Sequence, residues 1–185
     1  MGPSGAEWRL LTKMDFEFRV IAALFGATLA MAWDVRTRRI PNWLTLGAAG
    51  VALGYALFSG GLSGLGFAVG GWLVGAALFF PLFALGGMGA GDVKLLAALG
   101  AWLGPVDAVW LAIFASIAGG AMAVVVSMYH GYLGQAGTNM WFMLTHWRAA
   151  GVQPIPGLTL SDARAPRLAY AIPIGIGLVC TLWRS

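Results

Sequence analysis

Cysteine and histidine are nearly missing from this sequence. Cys180 is the only cysteine, and it lies within an apolar run. A single cysteine excludes an intramolecular disulfide framework and a metal site built from cysteine pairs. The two histidines, His130 and His146, have no cysteine or acid cluster beside them in sequence. We therefore expect no metal site and no cofactor.

Charge is also scarce. Charged residues make up 10% of the chain, hydrophobic residues make up 59%, and the mean hydropathy is +0.81. A soluble domain of 185 residues normally carries far more charge. The composition therefore predicts a polytopic membrane protein. The net charge of +4 does not indicate a nucleic-acid partner, because the basic residues cluster in short loops, as in membrane proteins generally.

The chain is short enough for one domain. Residues 1–13 (MGPSGAEWRLLTK) are rich in polar and small residues and precede a second methionine, Met14. We expect residues 1–13 to be an added or alternative-start extension, and residues 14–185 to form a single membrane-embedded domain.

The apolar segments predict an all-α membrane bundle of about six transmembrane helices. The fourth segment is short for a span, so it should be tilted or deep in the bundle, and Pro173 should kink the sixth. The polar stretch 131–167 contains aromatic residues that could lie along the membrane interface. The predicted spans are 20–33 (with Phe16 and Phe18 ahead of it), 43–58, 62–85, 93–103, 106–129 and 168–183.

The loop after the first span fixes the predicted orientation. Arg36, Arg38 and Arg39 lie within four positions, and such clusters stay on the cytoplasmic side. The amino terminus is then predicted to lie outside. Pro41 should stop the first helix, and Asn42 is the predicted N-cap of the next.

A glycine-rich turn, Gly86–Lys94 (GGMGAGDVK), carries an acid at the edge of an apolar segment. A charge there costs a few kcal/mol unless it is paired or solvated. Asp92 could simply cap the helix that follows, since acids are favoured at helix N-termini. It could instead belong to a functional site, because the glycines allow close approach of another backbone or a substrate.

A second acid favours the functional interpretation. Asp34 follows the first span and Asp92 precedes the fourth, so two membrane crossings return them to the same face. Asp107 follows the Gly104–Pro105 break at the opposite face and is a poor partner for either. Two neighbouring carboxyl groups share a proton, so one can activate water while the other protonates a carbonyl. This chemistry hydrolyses peptide bonds.

The motifs around both acids resemble those of a known family. Gly89-Ala90-Gly91-Asp92 is a GxGD signature, and Asp34-x-Arg36-x-x-x-Ile40-Pro41-Asn42 is similar to the first-aspartate motif of the type IV prepilin peptidases. The segment Ala169–Gly175 resembles the proline- and aromatic-containing final helix of that family, with Ala169 where many relatives have proline.

This resemblance implies a membrane aspartic endopeptidase of the GxGD type. Its substrate would be a prepilin or pseudopilin with a short basic leader and an apolar helix. Cleavage would occur at the cytoplasmic face of the bacterial inner membrane, and the catalytic residues would be Asp34 and Asp92. The residues matched as substrate-binding or site-shaping are Gly89, Gly91, Lys94, Arg36, Pro41 and Asn42.

The chain lacks the cysteine pairs and the cytoplasmic insertion of the larger members. It therefore resembles the short, peptidase-only branch associated with tight-adherence (Flp) pili, and we do not expect N-methyltransferase activity.

Two other functions remain open at this point. A small proton-coupled transporter would also place acids in a membrane bundle. However, both aspartates are predicted at one face and not at the midplane. A non-catalytic membrane subunit of a pilus or secretion machine would leave the two acids unexplained. Substitution of either aspartate separates these functions from a peptidase.

Overall fold

The computed structural model describes residues 5–153, 155 and 169–184, and this part of the chain is entirely helical between its turns. The predicted all-α bundle is therefore confirmed. Asp162, Arg164, Arg167 and Leu168 lie outside the described residues. The helices are α1 (Gly5–Thr37), α2 (Asn42–Ala84), α3 (Ala90–Leu103), α4 (Pro105–Tyr129), α5 (Leu133–Ala150) and α6 (Ala171–Arg184).

Three of these helices are long and apolar enough to cross a membrane: Met14–Thr37 within α1, then α2 and α4. Each carries many exposed large apolar side chains, among them Phe25, Leu73 and Ile117. Such surfaces suit contact with lipid. The chain is a membrane protein of the helical-bundle class.

The 43 residues of α2 do not form one straight rod. Gly61 has φ 59° and ψ −148°, which interrupts the helix. A Cβ on Gly64 would overlap the carbonyl oxygen of Ala56, although eight residues of continuous helix span roughly 12 Å. The chain therefore folds back at Gly61. The predicted second and third spans are the two arms of this hairpin, and the predicted loop at 59–61 shrinks to one non-helical residue.

Helix α3 lies at the centre of the bundle, as its shortness indicated. Every residue from Leu95 to Trp102 is buried. Glycines of α2 allow the two backbones to touch, since a Cβ on Gly75 would be 2.7 Å from the carbonyl oxygen of Leu96, and one on Gly71 would overlap that of Gly100. In lipid the hydrophobic effect does not drive helices together, so the close packing of small residues stabilises this helix pair.

Two helix boundaries differ from the sequence-based predictions. Asp34 lies inside the last turn of α1, and the helix ends where Arg38 takes a left-handed φ of 54°. Pro41, in extended conformation, is the N-cap of α2, so the prediction for Asn42 was wrong. The carbonyl oxygen of Pro41 accepts the first helical hydrogen bond from the N–H of Leu44 at 3.1 Å.

The prediction of a kink at Pro173 was also wrong. Pro173 is the third residue of α6, in the turn whose N–H groups have no partner within the helix. Proline is tolerated in the first turn of a helix, so Pro173 does not bend α6. The rest of α6 packs closely on α4, because a Cβ on Gly177 would be 2.6 Å from the backbone nitrogen of Ala115.

Helix α5 forms within the stretch predicted to be polar and aromatic. Several of its large apolar side chains are exposed, including Met140, Trp141 and Phe142. The Nε1 of Trp147 donates a hydrogen bond to the carbonyl oxygen of Gln153 at 2.9 Å, which ties the end of α5 to the following turn. A position along the membrane interface stays a prediction.

Candidate active site

Asp34 is an acid buried within the bundle. Its side chain is only 5% exposed, on the last turn of α1. The backbone N–H of Ala171, at the start of α6, donates a hydrogen bond to its Oδ2 at 3.2 Å. The positive charge of Arg38 acts on the same carboxylate. Burial makes the ionised form of this carboxyl group costly, and the N–H of Ala171 and the charge of Arg38 offset part of that cost.

Asp92 is the third residue of α3 and is half-buried. The N-cap of this helix is Gly89, whose backbone N–H interacts with the Asp92 carboxylate. An acid at this position that reaches back to the N-cap N–H resembles one half of a capping box. The simple capping role considered for Asp92 is thus partly realised.

Capping does not account for everything around Asp92, because its carboxylate also interacts electrostatically with that of Asp34. The structure therefore brings together two acids that lie far apart in sequence. Two carboxylates that interact in a weakly solvated site cannot easily both ionise, and such a pair favours the form that carries one proton. We refer to Asp34 and Asp92 as the dyad.

The two glycines of the GxGD turn make room for different groups. A Cβ on Gly89 would lie 3.0 Å from Oδ2 of Asp92, so this glycine accommodates the carboxylate itself. A Cβ on Gly91 would lie 3.2 Å from Cβ of Ile40 and 3.5 Å from its backbone nitrogen and oxygen. The second glycine therefore lets the loop after α1 pack directly on α3.

A hydrogen bond joins the same two segments. The Nζ of Lys94 donates to Oδ1 of Asn42 at 2.8 Å, which links α3 to the first residue of α2. Pro41, just before it, is half-buried. Lys94, Asn42 and Pro41, three of the predicted site residues, therefore lie close in the chain to Asp34 or Asp92. Arg36 is exposed, and Arg38 is the arginine whose charge acts on Asp34.

Tyr170 is a further residue at this site. Its ring packs edge-on against Phe79, with centroids 6.1 Å apart and an interplanar angle of 72°. A Cβ on Gly119 would be 2.5 Å from the tyrosine hydroxyl, so that oxygen lies over the backbone of α4. The charge of Asp92 acts on Tyr170. Together with Asp34, the site thus brings together residues of α1, α2, α3 and α4 and of the start of α6.

Two further acids of the described residues, Asp107 and Asp15, lie elsewhere. Asp107 forms an ion pair with Arg184 at 2.8 Å, at the far end of α6 from Ala171. The 14 residues of α6 separate those ends by about 20 Å. Asp15 pairs with Arg19 at 2.9 Å and accepts a hydrogen bond from Tyr55 at 2.6 Å. The prediction that Asp107 is a poor partner for the dyad agrees with this geometry.

Comparison with known proteins identifies the family. A family model described as the type IV leader peptidase family matches residues 21–124, which is more than half of the chain and includes both dyad aspartates. The chain belongs to the type IV leader peptidase family. No curated protein and no solved structure matches it. The protein is therefore a membrane peptidase of the prepilin leader-peptidase type.

The matched part of this leader peptidase ends within α4. The start of α6, which supplies Ala171 and Tyr170 to the dyad, lies beyond the match. A backbone N–H carries no residue-type signal, so sequence reasoning could not have identified Ala171. Tyr170 could be noticed as an aromatic residue in a family-like segment, but its neighbours could not be inferred from sequence.

Proposed function

We propose that this leader peptidase is an aspartic endopeptidase that removes the short basic leader from prepilins or pseudopilins of the type IV or Flp class. The observation that carries the proposal is the electrostatic interaction of Asp34 with Asp92 in a site formed by the ends of α1 and α3 and the start of α6. A peptidase that places two carboxyl groups together has the parts needed for acid–base hydrolysis.

The proposed mechanism uses water and the shared proton of the dyad. The ionised carboxylate takes a proton from water as the water oxygen attacks the carbonyl carbon. The protonated carboxyl group donates to the carbonyl oxygen, which gives a tetrahedral diol. Collapse of the diol breaks the C–N bond: the carboxyl group that took the water proton passes it to the leaving amine, and a hydroxyl proton of the diol returns to the other carboxylate, so the dyad again holds one proton. We assign Asp34 as the base, because the N–H of Ala171 and the charge of Arg38 offset part of the cost of ionising this buried carboxyl group, and no positive charge of the described residues acts on Asp92 in the same way.

Features beside the dyad support a position at the membrane boundary. Trp33 and Trp43 pack edge-on with centroids 5.6 Å apart, and both are substantially exposed. Tryptophan is favoured where the hydrocarbon meets the headgroups. Together with the arginines of the loop 36–39, this supports cleavage at the cytoplasmic face of the inner membrane. A basic leader would then remain in the cytosol while the apolar helix of the pilin packs against the bundle.

Cleavage can be tested by co-expressing the protein with a candidate prepilin and measuring the mobility shift that accompanies leader removal. We expect processing by the wild type and none by Asp34→Asn or Asp92→Asn, with all proteins present in the membrane. Asp107→Asn serves as the matched control and should process normally. Full processing by either dyad variant would refute the two-aspartate mechanism.

Orientation has a separate test in a Cys180→Ser background. A membrane-impermeant thiol reagent added to intact cells should label Val106→Cys, at the start of α4. The same reagent should label Arg39→Cys only after the membrane is opened. Both positions are exposed in the structure. The reverse pattern would place the dyad on the outer face and contradict the proposed cytoplasmic site.

The substrate class can be tested with purified protein. A full prepilin carrying its apolar helix should be cleaved much faster than a soluble peptide with the leader and cleavage site alone, because the helix supplies binding energy within the bilayer. Equal turnover of the two would show that the pilin helix is not recognised.

A further inference from the structure

Two residues at the beginning of α6 act on the two halves of the dyad. The N–H of Ala171 donates to Asp34, and the preceding residue, Tyr170, interacts electrostatically with Asp92. Two consecutive residues thus reach two acids that come from different helices. Neither aspartate motif contains these residues, so the motifs alone do not explain why α6 begins here.

Tyr170 is held in position on two sides. Phe79, only 2% exposed, packs edge-on against its ring, and this arrangement of aromatic rings is a favoured one. The hydroxyl lies over Gly119, where any side chain would displace it. The hydroxyl of a partly buried tyrosine normally has a polar partner. Asp92 is the acid whose charge acts on it.

We propose that Tyr170 is a positioning residue: its hydroxyl, fixed by Phe79 and Gly119, donates a hydrogen bond to Asp92 during catalysis, as the N–H of Ala171 does to Asp34. This inference rests on the proposed function, because it assigns a role within the same dyad. A phenol has one O–H to donate, and a carboxyl oxygen that accepts it is restricted in orientation. The start of α6 would then orient both carboxyl groups at once.

Tyr170→Phe tests the inference because it removes only the hydroxyl and keeps the ring against Phe79. With purified protein and a full prepilin, we expect kcat to fall about tenfold while KM stays within about twofold, since misoriented catalytic groups slow the chemical step more than binding. The thermal unfolding midpoint should be unchanged.

Gly119→Ala provides a second, independent perturbation. The added methyl group would displace the hydroxyl together with the ring atoms next to it while Tyr170 remains present, so kcat should again fall with KM retained. Tyr129→Phe is the matched control, because Tyr129 is 88% exposed at the end of α4 and should lose nothing.

The outcomes separate this inference from the proposed function. If the wild type leaves the prepilin uncut, the proposed function itself fails. If the wild type cuts it and Tyr170→Phe has the wild-type kcat, the proposed function stands and the positioning role is overturned. A fall in kcat that is matched by a lower unfolding midpoint would also overturn it, because Tyr170 would then be structural only.

Discussion

Gly89→Ala should separate the position of the Asp92 carboxylate from its chemistry. Gly89 has φ −77° and ψ 144°, a conformation that alanine adopts without strain. Apart from adjacent residues in the chain, the described atoms within 4 Å of the added carbon belong to the Asp92 carboxyl group. The added methyl group would therefore displace the Asp92 carboxyl group and leave the other described side chains in place.

The size of the effect follows from one distance. The added Cβ would lie 3.0 Å from Oδ2 of Asp92, whereas ordinary contact begins at 3.4 Å. The carboxylate must therefore move by a few tenths of an ångström. A misplacement of about 1 Å can cost about 100-fold in rate, so for a few tenths of an ångström we expect kcat to fall about 3- to 10-fold. That loss corresponds to roughly 0.7 to 1.4 kcal/mol at the barrier.

The assay is the initial rate of leader removal by purified protein, measured with thermal unfolding of the same samples. Gly87→Ala is the control from the same turn, because its Cβ would meet the carbonyl oxygen of Leu82 at an ordinary 3.4 Å. The unfolding midpoint of both variants should match the wild type. Wild-type activity in Gly89→Ala, or an equal loss in Gly87→Ala, would refute the argument that Gly89 is required for space beside the carboxylate.

Three further outcomes can be measured with the same assays. Asn42→Ala and Lys94→Met should each lower the free energy of unfolding by about 0.5 to 1.5 kcal/mol. The double variant should lose no more than either single variant, because the two residues share one hydrogen bond, and additive losses would contradict this. Asp107→Asn should lower the free energy of unfolding by less than about 1 kcal/mol, because its ion pair with Arg184 is partly exposed; loss of cleavage in folded protein would contradict its remote position. Gly71→Ala should prevent accumulation of folded protein or lower the unfolding midpoint strongly, because its Cβ would overlap a backbone carbonyl of α3; a wild-type midpoint would refute that packing.

Much of the fold follows from the order of apolar segments. Each apolar run of sufficient length must form a helix in lipid, since no water is present to satisfy its backbone groups. Alternation of such runs predicts which ends share a face, and this was enough to pair Asp34 with Asp92. The structure places those two acids within electrostatic reach, and it keeps Asp107 about the length of α6 away from them.

The parts that could not be predicted depend on local backbone geometry. The reversal at Gly61 uses a single residue with positive φ, although three small residues, Ser59–Gly61, could each have formed the turn. The choice of Arg38 over Arg36 beside Asp34 follows from where α1 ends and which way the chain then turns. The positive charge of that loop can be predicted from the sequence. Which arginine acts on Asp34 depends on where α1 ends.

Several contacts that hold the site together have no side-chain signature. The missing side chain of Gly91 leaves room for Ile40, and the backbone N–H of Ala171 donates to Asp34. Each depends on the spacing of helices, which is set far from the dyad by touching backbones such as Gly71 against Gly100. A change in that spacing would move one carboxyl group relative to the other without altering any residue of the site. The geometry of the dyad is therefore a property of helix packing as much as of the two aspartate motifs.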